Sequence, residues 1–132
     1  MKIIEELIST GAPEVTPETL EYTIRHLPQL RAKFANLEEV PIDLTDAIDF
    51  LSQVLEDFSG GLCRDLSFHA VADIAFALQY LFQETDLIPD HLPDVGYADD
   101  AAVSNRVLLK HSVILKDYAL QRGFEWNRLL TM

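Results

Sequence analysis

Cysteine is almost absent from this chain: Cys63 is the single one among 132 residues. An intramolecular disulfide and a zinc site built from paired cysteines are therefore excluded. Basic residues are also few, since 10 Lys and Arg stand against 22 Asp and Glu and leave a net charge of −12. A surface of that sign does not suit direct binding to nucleic-acid phosphates or to anionic lipid headgroups.

Long apolar runs and glycine-rich phosphate loops are missing as well. The most apolar stretch, residues 70–82, contains Asp73 and is shorter than the roughly 20 residues that span a bilayer. Glu5 and Glu6 stand where a secretory signal would begin its apolar run. We therefore expect a cytoplasmic protein without a transmembrane segment.

The acidic residues are concentrated in the middle of the chain. Residues 34–105 contain 15 acidic residues and one basic residue, Arg64, whereas residues 106–132 contain five basic and two acidic residues. We favour the interpretation that the C-terminal segment packs beside the acidic middle and partly neutralises it, because net charge mainly reports solubility and association. The alternative is an acidic face that meets a basic partner protein, or that mimics DNA.

Apolar residues recur with helical spacing, and no stretch shows the period-two alternation of a strand. We expect an all-α fold: one domain, residues 1–132, formed by a bundle of five to six helices. Thr16 followed by proline is a typical helix start, and Pro28 should kink or split the helix after it. Residues 68–83 are apolar nearly all round, which is typical of a central, buried helix. A long C-terminal helix should open at residues 98–100.

An Asp- and Pro-rich connector, residues 86–101, separates these last two helices and holds five aspartates and two prolines. Its pattern resembles the hallmark of the YkvA-like family, the domain of unknown function 1232. The resemblance covers about residues 68–112. The matching positions are Asp86, Leu87, Ile88, Pro89, Asp90, Pro93, Gly96, Tyr97, Asp99 and Asp100.

Two positions depart from the family pattern: Thr85 stands where proline is usual, and His91 where an apolar or aromatic residue is common. The resemblance implies a small helical fold, and many relatives are membrane-associated. It implies little about activity, because the family as a whole has no established one.

The connector aspartates have two interpretations. In the favoured one they cap helix ends and turns, while Pro89, Pro93, Gly96 and Tyr97 shape a rigid connection. In the other, the carboxylates bind a divalent cation such as Mg²⁺, Mn²⁺ or Ca²⁺, with His69 or His91 nearby. The residues of that metal site would be Asp86, Asp90, Asp99 and Asp100.

Smaller candidates lie outside the connector. His69 and Asp73 are four residues apart on one helix face, which suits either a local hydrogen bond, the favoured interpretation, or a base or metal ligand. Phe124 and Trp126 form an apolar tail that packs into the core or builds a partner-binding or homodimer surface. Cys63 is best explained as a small semi-buried filler.

Three functional hypotheses follow. The first is a non-enzymatic helical interaction or scaffold domain that binds a protein partner or a second copy of itself. The second is a divalent-metal-binding protein or metal-dependent enzyme that uses the connector. The third is an acidic mimic that binds a basic protein. No catalytic residue is identified, and we favour a protein that is not an enzyme.

Overall fold

The computed structural model describes residues 2–35, 42–62, 66–82 and 93–129. Side chains are described for all of these except residues 2–5, 7, 35, 42, 43, 82 and 93–101. The described ranges contain helices and no strand, so the all-α prediction is confirmed.

Eight α-helices and one short 3-10 helix follow one another in the described ranges. The helices are α1 (Lys2–Gly11), α2 (Pro17–Arg25), α3 (Leu27–Ala35), α4 (Ile42–Ser59), α5 (Phe68–Phe82), α6 (Pro93–Lys110), α7 (Ser112–Arg122) and α8 (Trp126–Leu129). The 3-10 helix, Ala12–Glu14, joins α1 to α2. The count exceeds the expected five to six because two expected helices are each divided into two and α8 is a single turn.

Thr16 caps the start of α2, as predicted, and together with Thr19 it forms a capping box. The Thr16 hydroxyl accepts a hydrogen bond from the Thr19 backbone at 3.2 Å, and the Thr19 hydroxyl accepts one from the Thr16 backbone at 2.8 Å. Pro28 stands at the second residue of α3, where the helix does not need its missing N–H. The expected break therefore falls just before the proline, at His26.

Helix α5 is the centre of the fold, as its apolar sequence predicts. It packs against α1, α2, α4, α6 and the 3-10 helix. Its fully buried residues include Val71, Ile74, Ala75, Ala77, Leu78 and Leu81. The approach of α1 is close enough that a Cβ on Gly11 would lie 2.0 Å from Cε1 of Phe76. Glycine is needed there for space, since its backbone is ordinary right-handed helix.

The prediction of one long helix that opens at residues 98–100 is wrong in two respects: the helix begins earlier, and it is interrupted. Helix α6 already begins at Pro93, so Asp99 and Asp100 stand beyond its first turn and not at its start. The helix then breaks at His111, whose backbone angles of φ −113° and ψ 29° leave the helical range, and α7 follows. Gly123, with φ +82°, ends α7 as its residue type predicts.

Phe124 and Trp126 pack on the buried Phe50 of α4. Their rings meet the Phe50 ring edge to face, with centroids 5.1 and 6.3 Å away. Both side chains are half-buried against the core. One part of each ring therefore serves the core, and the partner-binding role of the exposed part stays a prediction.

The basic C-terminal segment neutralises part of the acidic middle, as the favoured interpretation of the charge pattern predicts. Arg122 lies 3.1 Å from the carboxylate of Asp57, and Arg128 lies 3.8 Å from that of Asp46. A third such pair, Lys110 with Asp73, belongs to the candidate site.

Candidate functional site

A buried carboxylate stands in the central helix, where almost every neighbour is apolar. Asp73 lies on α5 with only 1% of its side chain exposed. Burial of an ionised carboxylate is costly unless cations or hydrogen-bond donors compensate it. The side chains around Asp73 therefore decide what this part of the molecule can do.

Three nitrogen-bearing side chains surround one oxygen of this carboxylate. His111 Nε2 lies 2.6 Å from Asp73 Oδ2, Lys110 Nζ lies 3.0 Å from it, and His69 Nε2 lies 3.8 Å from it. The two imidazole rings stand edge to face with centroids 5.9 Å apart. Oδ2 is thus the carboxylate oxygen that faces all three nitrogen atoms.

The second oxygen, Oδ1, is buried and has no hydrogen-bond partner among the described residues. An ionised carboxylate has about four acceptor positions, so an oxygen without a donor is an unused acceptor. A buried acceptor of this kind costs folding free energy and calls for an explanation in structure or function.

The environment of Asp73 favours its charged form. Burial raises the pKa of Asp73, but the hydrogen bonds from His111 and Lys110, together with their charges, outweigh burial and hold the pKa below its ordinary value. The carboxylate is therefore ionised at neutral pH. An ionised carboxylate only accepts hydrogen bonds, so His111 Nε2 carries the proton and donates it.

Each member of the site is positioned by a different feature of the fold. His69 and Asp73 share one face of α5 because they are four residues apart, and His69, in the first turn, is 67% exposed. Lys110 is the last residue of α6, and His111 forms the break before α7. The partly exposed Lys110 and the largely buried His111 thus reach α5 from the junction between α6 and α7.

The two histidines and the aspartate form a candidate metal site. One ligand atom from each of the three residues lies within 4.8 Å of the others. Tetrahedral zinc, with bonds of about 2.0–2.1 Å, separates its ligand atoms by about 3.4 Å. The 2.6 Å contact would have to widen and the 3.8 Å contact to shorten, which small rotations of exposed or junction side chains can supply.

A second buried aspartate, Asp57 on α4, shows what a purely structural carboxylate looks like in this protein. Its Oδ1 accepts a hydrogen bond from Gln53 at 3.0 Å. Its Oδ2 accepts one from the Tyr118 hydroxyl and pairs with Arg122. Both oxygens have partners among the described side chains, so this network ties α4 to α7.

The connector residues expected to bind metal are not tested by the geometry. Asp86, Pro89, Asp90 and His91 lie outside the described residues, as does Cys63. The other candidate residues of the connector lie in α6, where only the backbone is described. They are Pro93, Gly96, Tyr97, Asp99 and Asp100. A cation held by the connector aspartates therefore stays a prediction.

Sequence reasoning found His69 and Asp73 but missed Lys110 and His111. The local hydrogen bond expected between His69 and Asp73 is not formed, because His69 Nε2 lies 3.8 Å from the carboxylate, too far for a hydrogen bond. The short contacts to Asp73 come from Lys110 and His111 instead. A signal was present: a buried aspartate needs a cation, and the C-terminal segment holds most of the basic residues after residue 33.

Fold and site together define a small all-helical protein whose central helix carries a carboxylate between two histidines and a lysine. Residues 70–104 match the family model described as "Protein of unknown function (DUF1232)", so this segment is similar to the family that the hallmark indicated. The match includes Asp73, whereas His69, Lys110 and His111 lie just outside it. The narrower name YkvA-like is consistent with this match.

Comparison with curated proteins and with solved structures finds no match to the chain. In the described part of the chain, no helix has both the length and the apolar character needed to cross a membrane.

Proposed function

We propose that this protein is a helical domain that binds a divalent transition metal through His69, Asp73 and His111. The observation that supports the proposal is the convergence of three ligand atoms within 4.8 Å around a buried carboxylate that has an unused oxygen. Two histidines and one carboxylate are a common ligand set for transition metals.

The donor atoms favour a transition metal over Mg²⁺ or Ca²⁺. Imidazole nitrogen suits Zn²⁺, Ni²⁺, Cu²⁺ and iron, whereas Mg²⁺ and Ca²⁺ prefer sites made of oxygen atoms. Metal would take the position of the proton that His111 Nε2 now donates to Asp73, because a histidine ligand must offer a lone pair. Zinc is the appropriate first probe, since it accepts this ligand set in tetrahedral geometry.

Three protein ligands leave a fourth position of zinc open. An open position lets water or another small ligand bind the metal, which a closed structural site does not allow. Binding of metal is the function proposed; a reaction at the open position is a separate question, and no catalytic residue is assigned.

The test is calorimetric titration of Zn²⁺ into chelator-treated protein, with Mg²⁺ and Ca²⁺ titrated in parallel. We expect one Zn²⁺ per chain, and weakening by at least about tenfold in each of His69→Ala, Asp73→Asn and His111→Ala, since each loses one of three ligands. His26→Ala is the matched control: its ring bonds the Tyr22 carbonyl on α2, away from the site.

Three results would contradict the proposal. The first is zinc binding that the three site variants leave unchanged. The second is stoichiometric binding of Mg²⁺ or Ca²⁺ instead, lost in Asp86→Asn and Asp99→Asn variants, which would move the metal to the connector aspartates. A chain that binds none of the three ions would remove a metal function.

A second candidate function, an interaction domain, is supported by apolar residues in contact with solvent. Val113 and Leu120 on α7 are 89% and 79% exposed, and Leu109 at the end of α6 is half exposed. Val113 and Leu120 share a helix face because they are seven residues apart. The exposed Lys116 stands between them on the same helix, so the partner that fits is an acidic amphipathic helix of another protein.

The interaction is tested with a labelled acidic amphipathic peptide and fluorescence anisotropy. Binding should be lost in Val113→Asp and Leu120→Asp and kept in Tyr22→Asp, which alters a 61% exposed apolar side chain on α2. Light scattering on the same variants identifies a homodimer: a dimer that Leu120→Asp dissociates would show that the occupant is a second copy.

The remaining expectations stay predictions. The described acids available to an acidic mimic are partly engaged within the molecule, because Arg31 lies 3.0 Å from Glu56 and 3.7 Å from Asp49. A cytoplasmic location and the absence of enzymatic activity are likewise untested.

A further inference from the structure

We infer that Lys110 is a built-in competitor for the metal: it neutralises Asp73 in the metal-free protein and must leave when the metal binds. The inference rests on the metal site proposed above. It concerns the control of that site, and it yields a variant with tighter metal binding.

The first step is that Lys110 and the metal would use the same oxygen of Asp73. Lys110 Nζ lies 3.0 Å from Asp73 Oδ2, the oxygen that also faces both histidines. A metal bonded to that oxygen at about 2.1 Å would lie no more than about 5 Å from the ammonium group. Two cations at that separation repel strongly where the surroundings are largely buried.

The second step is that Lys110 is able to leave. Its side chain is 30% exposed, and it is the last residue of α6. A lysine stem has four flexible carbons and a strongly hydrated head, so rotation into solvent restores the hydration of the charge. Asp73, at 1% exposure, has no such route and must keep a cation beside it.

The third step is that the exchange explains why a lysine stands beside a metal ligand set. Without metal, a buried carboxylate lacking its cation would destabilise the fold. Lysine supplies a single charge on a mobile stem, whereas the divalent ion supplies two charges and uses the histidine nitrogens as well. The protein is therefore folded in both states, and metal binding carries the cost of displacing Lys110.

Opposite effects on stability and affinity distinguish this role from a purely structural ion pair. Lys110→Met keeps the stem but removes the charge, so the metal-free variant should melt at a lower temperature than the parent protein. Its zinc affinity should be at least about tenfold higher, which corresponds to about 1.4 kcal/mol. Lys110→Arg keeps a cation at the site and should bind zinc about as weakly as the parent.

The experiment is zinc calorimetry and thermal melting, with and without zinc, on full-length parent, Lys110→Met, Lys110→Arg and Lys116→Met. The last variant removes an exposed lysine of α7 and controls for the change in net charge. If Lys110→Met does not fold without metal, Lys110→Gln replaces it, since its amide is able to donate a hydrogen bond to Asp73.

Each outcome is decisive. Tighter binding in Lys110→Met alone supports the inference. Parent and Lys110→Met binding zinc with equal affinity would overturn it and leave the metal site intact. Binding by Lys110→Met but not by the parent would support competition by Lys110 and reject metal binding by the unaltered protein. Absence of binding in every variant would overturn both.

Discussion

Replacing Phe50 with alanine tests the aromatic cluster that joins α4 to the C-terminal segment. Phe50 is fully buried, and its ring meets those of Tyr118, Phe124 and Trp126 at centroid distances of 5.6, 5.1 and 6.3 Å. Truncation of a buried phenylalanine to alanine costs about 3–5 kcal/mol. Each edge-to-face pair adds about 0.5–1.5 kcal/mol beyond the buried area, so the upper part of that range is expected.

The assay is urea unfolding followed by circular dichroism and by tryptophan fluorescence. Trp126 is the chain's single tryptophan, so the fluorescence signal reports on this cluster alone. The free energy of unfolding should fall by about 4 kcal/mol, and the emission of the folded variant should shift because Trp126 loses its contact with Phe50. Phe68→Ala is the matched control: its side chain is 43% exposed, and the loss should stay below about 1 kcal/mol.

The reasoning would be refuted by a loss below about 1 kcal/mol for Phe50→Ala with unchanged emission. That result would mean that Phe124 and Trp126 do not depend on the core. It would favour the alternative that these two residues mainly serve a partner surface.

Three further predictions concern other parts of the fold. Gly11→Ala should lower the unfolding free energy by about 1–3 kcal/mol, because its Cβ would meet the Phe76 ring. Gly60→Ala is the control in the same urea titration and should not show that loss, because the atom nearest to its added Cβ is 3.6 Å away. Thr16→Ala should cost about 1 kcal/mol through loss of the helix cap, and thermal melting measures it. The lowered pKa of Asp73 means that its charge stabilises the metal-free fold above the ordinary value of 3.8 and stops doing so as the pH falls through the folded-state pKa. The stability advantage of the parent over Asp73→Asn should therefore shrink on acidification, and an advantage that grows would contradict the assignment.

Local sequence rules predicted the features that depend on neighbours along the chain. The helix cap at Thr16, the break near Pro28 and the stop at Gly123 follow from which backbone angles and hydrogen bonds each residue type allows. The burial of α5 follows from a sequence that is apolar all round. The hallmark indicated a resemblance to the family because proline, glycine and aspartate recur at fixed spacing, and residues 70–104 match the family model.

The break at His111 had no local signal, since neither proline nor glycine stands there. A straight helix from α6 to α7 would satisfy every local preference. The break coincides with the residue whose side chain contacts Asp73. Local rules do not contain this contact, because the two residues lie 38 positions apart.

What the sequence by itself determined is therefore an acidic, all-helical protein whose central helix carries an aspartate among apolar residues. Tertiary structure decided which side chains surround that aspartate: packing of α6 on α5 places Lys110 and His111 at Asp73, while His69 contributes from the same helix. The physical reason is the distance along the chain over which each effect acts. Capping and periodicity act within a turn or two, whereas compensation of a buried charge depends on whichever side chain the fold brings within about 3 Å.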